Sequence, residues 1–522
     1  MTDLTSVAWL EATVLALYYG ILGVLSLFGV HRMVLVMLFL RHRKRAAEAS
    51  AAADLPTDLP ADLPIVTVQL PLYNEMYVAR RLIDAAVALD YPRDRLEIQV
   101  LDDSTDETTE VVAHAVERYR ALGYDVKHLR REVRTGFKAG ALAAGTAAAR
   151  GELLAVFDAD FVPQADFLRR AVPHFADPGV GMVQARWDHL NRDYSLLTRV
   201  QAILLDGHFL VEQAARSISG RFFNFNGTAG LWRREAIPDA GGWQHDTLTE
   251  DLDLSYRAQL AGWKFVYLRD VAVPSELPVD VNGFKSQQYR WAKGSIQTAK
   301  KLLGRVLRSR QLPLRVRFEA FVHLTNNVSY VLMVALSVLM FPAMAIRRGG
   351  SVAAILLVDL PLFAAATLSV LVFYTASQAW AGRRWWRDLK DLPALMAVGI
   401  GLSVNQTRAV VSGWRHQGGE FVRTPKYRIE RRGEDWQKKR YRAGRSLAIV
   451  FEGLLAAWFL ACFVYAAVDG MWASLPFLWL FLQGYGFVFL LSVLPAWRAK
   501  RASFGRLRSE AVEVPVDTRS VQ

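Results

Sequence analysis

The sequence predicts an α/β protein, a mostly parallel sheet with helices on both faces, joined to an α-helical transmembrane region. Three observations predict this architecture. Between residues 65 and 313, short apolar runs alternate with helical stretches. Long, almost uncharged runs flank that part on both sides. Hydrophobic residues make up 52% of the 522 residues but are concentrated in the flanks, as in a membrane protein with one large water-soluble domain.

Residues 1–45 are predicted to form an N-terminal transmembrane anchor. Val7–Val30 contains one ionisable residue, Glu11, and exceeds the roughly 20 residues that a helix needs to cross a bilayer. It has no small-residue cleavage pattern, so we expect it to be retained. The basic cluster Arg41–Arg45 predicts a cytoplasmic C-terminal end for this helix. Residues 46–64 contain Asp-Leu-Pro three times, which predicts a non-helical linker.

The central domain, residues 65–313, is expected to be cytoplasmic and to follow a βα succession. Parallel strands need a crossover connection that is usually a helix, so this succession predicts a mostly parallel sheet. The expected strands are Ile65–Leu70, Glu97–Leu101, Val126–Leu129, Leu153–Phe157 and Val180–Ala185. The expected helices are Met76–Leu89, Thr108–Leu122, Phe137–Ala149 and Phe167–Phe175.

Residues 314–497 are predicted to form the main membrane region. Apolar runs occur at Phe318–Ile346, Val352–Trp380, Leu392–Val411, Ser446–Val468 and Met471–Pro495. Both flanks of residues 392–411 are basic, so we expect that run to lie in the membrane interface. The anchor and the four other runs then give five crossings of the plasma membrane. The basic loop 414–445 and the tail 498–522 are placed in the cytoplasm, whereas Arg347 and Arg348 fall outside, against the positive-inside rule.

Charge and cysteine content exclude two classes of function. The net charge is +13, but most of the basic excess flanks apolar segments, where membrane orientation explains it better than nucleic-acid binding. The single cysteine, Cys462, excludes an intramolecular disulfide and a cysteine-based metal site. We therefore expect a lipid bilayer but no nucleic acid among the partners; the sequence does not identify a protein partner.

Two carboxylates end the most apolar strand of the central domain. Asp158 and Asp160 follow Leu153–Phe157, and side chains two residues apart share a face of a strand. Ligands of parallel α/β sheets bind at the carboxyl ends of the strands. A hard divalent cation prefers oxygen ligands, and one held by two carboxylates keeps positions open for phosphates. The alternative is an Asp-rich turn without a metal.

Further polar residues are expected at the same edge of the sheet. Asp102 and Asp103 close the second strand, where an acid suits the ribose or base of a nucleotide. Tyr73 and Glu75 follow the first strand, although each could instead be a turn residue or a helix cap. Lys138 lies at a glycine-bearing helix start that suits a phosphate, but Gly and Lys are also common at solvent-facing turns.

Two motifs further along the chain complete the candidate site. Thr249 fits the N-cap of a helix over residues 249–260, with Glu250 and Asp251 in its first turn. All three are candidate catalytic residues, with capping as a sufficient alternative for Thr249 that could extend to Glu250. A carboxylate at Asp251, aimed into a metal-nucleotide cleft, is a reasonable general base. In the second motif a guanidinium suits a diphosphate and a Trp face suits a sugar ring, unless this is a surface helix with a buried Trp. Its residues are Gln287, Arg290 and Trp291.

The ordered set Asp-Asp, Phe-Asp-Ala-Asp, Thr-Glu-Asp and Gln-x-x-Arg-Trp resembles the family 2 glycosyltransferases, which include cellulose, chitin and hyaluronan synthases. The likeness is greatest to the cellulose synthase-like A branch, the mannan and glucomannan synthases, and covers about residues 65–300. It implies a GT-A fold. The longer phrases that carry it are Leu101-Asp-Asp-Ser-Thr-Asp106, Phe157-Asp-Ala-Asp-Phe161, Val183-Gln-Ala-Arg-Trp187, Phe225-Asn-Gly-Thr-Ala-Gly230 and Gly262-Trp-Lys-Phe265.

The resemblance implies a role for each motif residue. Asp102 or Asp103 would bind the nucleoside, Asp158 with Asp160 would hold Mg or Mn on the diphosphate, and Asp251 would be the catalytic base. Gln287 and Arg290 would bind the diphosphate, while Trp291, Gly227 and Thr228 would line the acceptor site. Phe421-Val-Arg-Thr-Pro-Lys426 is similar to the gating loop of cellulose synthases, with Arg423 in place of a valine. Tyr289-Arg-Trp-Ala-Lys-Gly294 departs from the plant His-Arg-Trp-Ser-Cys-Gly form, which implies different acceptor contacts.

The expected function is an inverting transfer of a sugar from UDP-glucose or GDP-mannose to a β-linked polysaccharide, with export of the polymer. The alternative is the addition of one sugar to a membrane lipid, as in ceramide glucosyltransferases. A transporter or receptor with a nucleotide-sensing domain would need ionisable residues along the spans. Few are present after residue 318, Glu319, Asp359 and Glu452 among them, and most lie near the ends of the runs.

Overall fold

The computed structural model of the protein describes residues 2–51, 63–348, 357–358, 360–442, 444 and 446–512. The chain divides into two compact units. The first comprises residues 1–395 and 403–444, and the second comprises residues 396–402 and 445–522. The first unit contains the sheet and the candidate site.

The sheet of the first unit contains seven described strands. They are β1 (Val66–Leu72), β2 (Leu96–Asp102), β3 (Val126–Arg130), β4 (Leu153–Val156), β5 (Val180–His189), β6 (Gly230–Arg233) and β7 (Lys264–Ser275). Their order is β3-β2-β1-β4-β6-β5-β7. Strand β6 is antiparallel to β4 and β5, and the other pairings are parallel. The mostly parallel sheet is therefore confirmed.

All five expected strands are present, whereas β6 and β7 were not predicted. Strand β6 has four residues, too few for an apolar run to stand out. Strand β7 is long but contains Lys264, Arg269, Asp270 and Pro274, and its outer residues are partly exposed. Arg269 and Asp270 divide its apolar residues into two short runs, 265–268 and 271–273, so no single run of strand length stands out.

Helices cover both faces of the sheet, as expected. Along β4, Leu153 and Ala155 belong to one hydrophobic cluster, while Leu154 and Val156 belong to another on the opposite face. This alternation follows from the period of two in a strand. Helix α1 (Thr2–Ala51) precedes the domain and contains a candidate membrane span. The helices of the domain are α2 (Ala79–Val87), α3 (Thr108–Ala121), α4 (Phe137–Ala148), α5 (Phe167–Ala171), α6 (Leu196–Asp206), α7 (Ala214–Ile218), α8 (Ala236–Asp239), α9 (Glu250–Leu260) and α10 (Val281–Arg308). A π-helix, Gly207–Gln213, joins α6 to α7.

The remaining helices of the described chain belong to the membrane region. They are α11 (Leu314–Thr325), α12 (Val328–Ile346), α13 (Leu360–Trp380), α14 (Trp385–Asp388), α15 (Leu392–Gly401), α16 (Ser403–Arg415), α17 (Ala448–Val468) and α18 (Leu475–Val512). Among the described residues, six helical segments are long and apolar enough to cross a membrane by length and composition. This agrees with a multi-pass membrane protein. The fourth along the chain, Trp385–Arg415, includes the run expected in the interface. Of its most apolar 18-residue stretch 61% is buried, and the interfacial placement stays a prediction.

The boundaries of two predicted segments change. The linker begins later than expected, because residues 46–51 continue α1 and the first proline, Pro56, comes only after them. Residues 52–62 of the linker lie outside the described residues. Helix α18 continues through residue 512 into the expected tail, and residues 513–522 are likewise not described. Of the run 352–380, the structure describes residues 357–358 and 360–380.

Candidate active site

A cavity opens at the carboxyl ends of β1, β2 and β4, the edge of a parallel sheet at which ligands bind. It collects nearly all of the residues singled out from the sequence, although they come from segments more than 200 positions apart. Those that line it are Tyr73, Glu75, Asp103, Lys138, Asp158, Asp160, Gly227, Thr249, Glu250, Asp251, Gln287, Arg290 and Trp291. The two that do not line it are Asp102 and Thr228.

Asp158 and Asp160 face the cavity, and each is paired with a lysine. Lys138 Nζ lies 2.5 Å from Asp158 Oδ1, and Lys426 Nζ donates to Asp160 Oδ2 at 2.7 Å. No group of three or more His, Cys, Asp or Glu side chains that could hold a metal occurs among the described residues. The donor set at this strand end is therefore two carboxylates that already attract cations. It fits a hard divalent ion that takes its remaining ligands from phosphate and water.

Thr228 supports Asp158 instead of contacting an acceptor. Its side chain is completely buried, and its Oγ1 accepts a hydrogen bond from the backbone N–H of Asp158 at 2.9 Å. The expectation that Thr228 lines the acceptor site is therefore wrong. The preceding residue, Gly227, does line the cavity. Its φ of +84° favours glycine, and a Cβ there would come within 2.8 Å of Asp251 Oδ2.

Of the two acids that end β2, only Asp103 reaches the cavity. Asp102 is buried, and its carboxylate accepts from the Ser104 backbone N–H and contacts His128 Nε2, both at 2.9 Å. Burial opposes ionisation of Asp102, but these two partners lower its pKa below the ordinary value. Asp102 does not line the cavity, so of these two acids only Asp103 remains a candidate for the nucleoside contact.

Aromatic and cationic groups surround Asp103. Arg131 forms a two-point ion pair with its carboxylate, at 3.0 and 2.5 Å, and Arg134 Nε lies 3.9 Å away. The Arg134 guanidinium stacks over the ring of Tyr73 at 3.4 Å. A flat ring, a guanidinium and a carboxylate together suit the stacking face and polar edge of a nucleobase. Nearby, burial raises the pKa of Glu75 to about 7.

Asp251 has the properties of a general base. Burial, with the adjacent Glu250 carboxylate, raises the pKa of Asp251 to about 7, and burial likewise raises that of Glu250. A base is most effective when its pKa lies near the working pH. Both acids begin α9, and Thr249 precedes them at the N-cap position but makes no side-chain cap. Its Oγ1 lies 3.3 Å from Thr298 Oγ1 instead, so the predicted capping role of Thr249 is wrong.

A buried ion cluster fixes the start of α9 from behind. Asp253 is fully buried; it accepts from Arg257 Nε at 2.8 Å and lies 2.9 Å from Lys301 Nζ. Arg257 also donates to the backbone carbonyls of Ala240 and Gly242. These contacts tie α9 to α10 and to the loop after α8, and thereby hold Asp251 in place.

We expect Asp253→Ala to destabilise the protein by about 3–5 kcal/mol, because it leaves Arg257 buried without its partner. The measurement is thermal unfolding of the full chain in detergent. Asp246→Ala is the matched control, since Asp246 also pairs with Lys301 at 2.8 Å but is largely exposed. It should cost under about 1 kcal/mol. Equal losses for the two variants would contradict the structural role of Asp253.

Gln287, Arg290 and Trp291 line the opposite wall, from α10. Burial lowers the pKa of Arg290, which nevertheless remains a cation at neutral pH. Its guanidinium donates to Thr424 Oγ1 at 3.0 Å and stacks over Phe421 at 4.4 Å. The ring centroids of Trp291 and Trp187, another aromatic residue in the cavity wall, are 6.3 Å apart. The wall thus pairs a fixed cation with flat apolar surfaces.

The segment Phe421–Lys426 closes one side of the cavity. It has neither helix nor strand, and Phe421, Arg423, Thr424 and Lys426 line the site. Arg423, the residue that departs from the gating-loop pattern, stacks over the ring of Tyr441 at 3.9 Å. The arginine thus has a packing partner within the same loop.

Glu276, which sequence reasoning missed, anchors this segment. Its buried carboxylate accepts from the backbone N–H groups of Tyr427 and Arg428, both at 2.8 Å, and its carbonyl accepts from Lys426 at 2.7 Å. Glu276 follows β7, the strand that was not predicted, so nothing placed it at the sheet edge. The one available signal is an acid between two prolines, Pro274 and Pro278.

Comparison with known proteins agrees with the resemblance carried by the sequence motifs. Residues 64–294 match the family described as glycosyltransferase-like family 2. Glucomannan 4-beta-mannosyltransferase 2 of Arabidopsis thaliana is 44% identical over 272 residues, 51% of this chain and 50% of the relative. Glucomannan 4-beta-mannosyltransferase 1 of Oryza sativa subsp. japonica is 42% identical over 287 residues, which are 53% of this chain and 55% of that relative. The chain thus spans about half the length of the curated relatives it matches.

Among solved structures, similarity is found to the mannosyltransferase PcManGT from Pyrobaculum calidifontis in complex with GDP-Man and Mn²⁺. The TM-score is 0.46 with 24% sequence identity, over 69% of this chain and 100% of that one. The segment that matches the family contains β1 to β7 and every cavity residue up to Trp291. The family assignment of this segment therefore rests on its sequence. Residues 64–294 of this chain are a glycosyltransferase family 2 domain.

Proposed function

We propose that the protein is a membrane-embedded inverting glycosyltransferase that moves mannose from GDP-mannose onto a growing β-linked mannan or glucomannan. The observation that carries this proposal is a carboxylate, Asp251, whose pKa is raised to about 7 in the cavity that also contains Asp158, Asp160 and Arg290. The named activity of the sequence relatives supports mannose as the sugar.

Donor binding is proposed to use both walls of the cavity. The nucleobase stacks at Tyr73 with its polar edge toward Asp103, and the diphosphate lies between Asp158 and Arg290. Gln287 adds a neutral donor to the phosphates. A divalent cation on Asp158 and Asp160 would neutralise charge on the leaving diphosphate. Lys138 lies beside Asp158; burial opposes its charged form, but the surrounding carboxylates raise its pKa, so it remains a cation there.

Transfer is proposed to occur in one displacement. Asp251 takes the proton from the acceptor hydroxyl as that oxygen attacks the anomeric carbon, and the bond to the diphosphate breaks on the opposite face. The attack inverts an α-linked donor into a β-linked product. Arg290 stabilises negative charge as the nucleotide diphosphate leaves, which is where a preorganised cation lowers the barrier most. Trp291 and Gly227 line the acceptor side.

The membrane helices decide the nature of the acceptor. A polymer synthase needs a path across the bilayer, and neutral sugars can pass along apolar and aromatic surfaces without charged groups. We propose that the spans export the polymer, with the catalytic domain on the cytoplasmic face of the plasma membrane. The competing function, addition of one sugar to a lipid hydroxyl, would use the same site and the same base.

A donor panel tests the proposal. The purified full chain is supplied with Mn²⁺ and with GDP-mannose, UDP-glucose or UDP-N-acetylglucosamine in turn, and nucleotide release and radiolabelled product are measured. We expect release to be highest with GDP-mannose, with an alkali-insoluble polymer sensitive to mannanase. A single organic-soluble glycolipid would support the competing function. No release from any donor would refute transferase activity.

A further inference from the structure

The π-helix Gly207–Gln213 presents two side chains to one residue of the cavity wall. Asn226 Nδ2 donates to His208 Nε2 at 3.0 Å, and Gln213 Nε2 donates to Asn226 Oδ1 at 2.7 Å. His208 and Gln213 are five residues apart, and the i→i+5 hydrogen-bonding period of a π-helix brings such residues to the same side. An ordinary α-helix would direct them to different sides. The π-helix therefore forms hydrogen bonds with both the nitrogen and the oxygen of the Asn226 side-chain amide.

The network has one consistent orientation. Gln213 Nε2 also donates to the backbone carbonyl of Asn224 at 2.9 Å, and a carbonyl can only accept. The NH₂ group of Gln213 therefore faces Asn226, which must present its oxygen there and its own NH₂ to His208. His208 Nε2 is then an acceptor, and its Nδ1 carries the proton toward Glu212 Oε2, 3.1 Å away.

Asn226 retains hydrogen-bonding capacity after these contacts. A carboxamide has two N–H donors and two acceptor lone pairs, and within the described part of the chain one of each is used by His208 and Gln213. One N–H and one lone pair remain on a side chain that lines the cavity. The next residue, Gly227, lies against the Asp251 carboxylate. A sugar hydroxyl, which both donates and accepts, matches this pair.

We propose that Asn226 binds a hydroxyl of the acceptor sugar beside Asp251, and that His208 is a positioning residue that fixes the amide in the orientation required. This inference rests on the glycosyl transfer proposed above. Without His208, the Asn226 amide is held only at its oxygen, by Gln213, so its nitrogen can shift and the acceptor hydroxyl loses its alignment with the base.

A buried ion chain holds His208 from the other side. Glu212 Oε2 lies 3.5 Å from Arg216, whose Nε donates to Glu319 on α11 at 3.0 Å. Glu319 also contacts His31 of α1 at 3.0 Å. Burial opposes ionisation of Glu212, but Arg216 and His208 lower its pKa, so it stays a carboxylate that accepts from His208. The orientation of Asn226 is thereby tied to the first membrane helix.

The test separates transfer from hydrolysis of the donor. The full chain is incubated with GDP-mannose, Mn²⁺ and a manno-oligosaccharide, and GDP release is compared with mannose incorporated into sugar product. Misplacing an acceptor hydroxyl slows transfer to sugar but leaves attack by water available. We expect His208→Ala to raise the ratio of hydrolysis to transfer about tenfold. His208→Phe, which keeps the ring volume but has no acceptor nitrogen, should do the same if the alanine variant fails to fold.

Three comparisons make the result specific to positioning. His208→Gln, which keeps an acceptor for Asn226, should return the ratio to within about threefold of the wild type. Asn226→Ala should match His208→Ala, and the double variant should be no worse than Asn226→Ala, because both act through one contact. His114→Ala, an exposed histidine on α3, should leave the ratio unchanged.

Two outcomes overturn the inference alone. One is a wild-type ratio in folded His208→Ala or His208→Phe protein that still transfers mannose. The other is a double variant in which the two effects multiply. Absence of GDP release and transfer by the wild type would instead refute the proposed function, and the inference with it.

Discussion

Asp251→Asn is expected to lower mannosyl transfer by about 10²–10⁴-fold, the range attributed to a single general base. Asparagine keeps the size of the side chain but cannot take the acceptor proton. Nucleotide binding should persist, because the diphosphate is proposed to bind Arg290 and a cation held by Asp158 and Asp160 instead. The measurements are the rate of polymer formation and titration with a fluorescent GDP analogue in the presence of Mn²⁺. Turnover near the wild-type rate would show that Asp251 is not the base.

The pH dependence of mannosyl transfer by the wild type is a second test of Asp251 as the general base. The pKa of Asp251 is raised to about 7, so the base is protonated and inactive below that pH and becomes competent as pH rises through it. Transfer should fall about tenfold for each pH unit below 7. Glu250 contributes to the raised pKa, so Glu250→Gln should move this acid limb to lower pH. An acid limb that stays at the same pH in Glu250→Gln would contradict the coupling.

Asp160→Ala is expected to abolish the metal dependence of nucleotide binding. In the wild type, chelation of Mn²⁺ should weaken binding of the GDP analogue at least tenfold, about 1.4 kcal/mol, because the phosphates lose a bridging cation. One carboxylate, Asp158, would remain in the variant, and a single monodentate ligand holds such an ion poorly. Binding to Asp160→Ala should therefore be weak and nearly equal with and without Mn²⁺.

The control for this experiment is Asp84→Ala, an exposed acid on α2 that pairs with Arg80 and lies outside the cavity. It should bind the analogue as the wild type does. A variant at Asp160 that still binds about tenfold more tightly with Mn²⁺ would place the metal elsewhere. Loss of binding in a Lys426→Ala variant, which keeps both carboxylates, would instead assign the phosphate contact to the loop.

The local sequence pattern was sufficient to predict the interior strands of the sheet. Residues such as Leu153–Phe157 are buried on both faces, so their sequences are continuously apolar and end abruptly in polar residues. The same burial rule places Asp158, Asp160 and Asp103 at one edge, because parallel strands bring their carboxyl ends together. Strand β7 was missed because Arg269 and Asp270 interrupt its apolar residues, and Glu276, which follows it, was missed with it.

The direction in which a side chain points could not be predicted from the local sequence pattern. Asp102 and Asp103 are adjacent and identical in type. The Asp102 carboxylate contacts His128 and the Ser104 backbone N–H, whereas Asp103 lines the cavity. Thr228 follows Gly227, which lines the cavity, but its hydroxyl accepts a hydrogen bond from the Asp158 backbone N–H. Which way a side chain points depends on partners supplied by other strands, and these have no fixed distance along the sequence.

By itself, the sequence determined the mostly parallel sheet, the apolar flanking helices and the identity of most cavity residues, because hydrophobic period and strand-end chemistry are local properties. Only the tertiary structure decided that Lys426 reaches Asp160, that Glu276 holds the segment carrying it, and that a π-helix grips Asn226. These contacts join residues up to 266 positions apart. Their geometry is set by how the elements pack, and hydrophobic periodicity does not encode it.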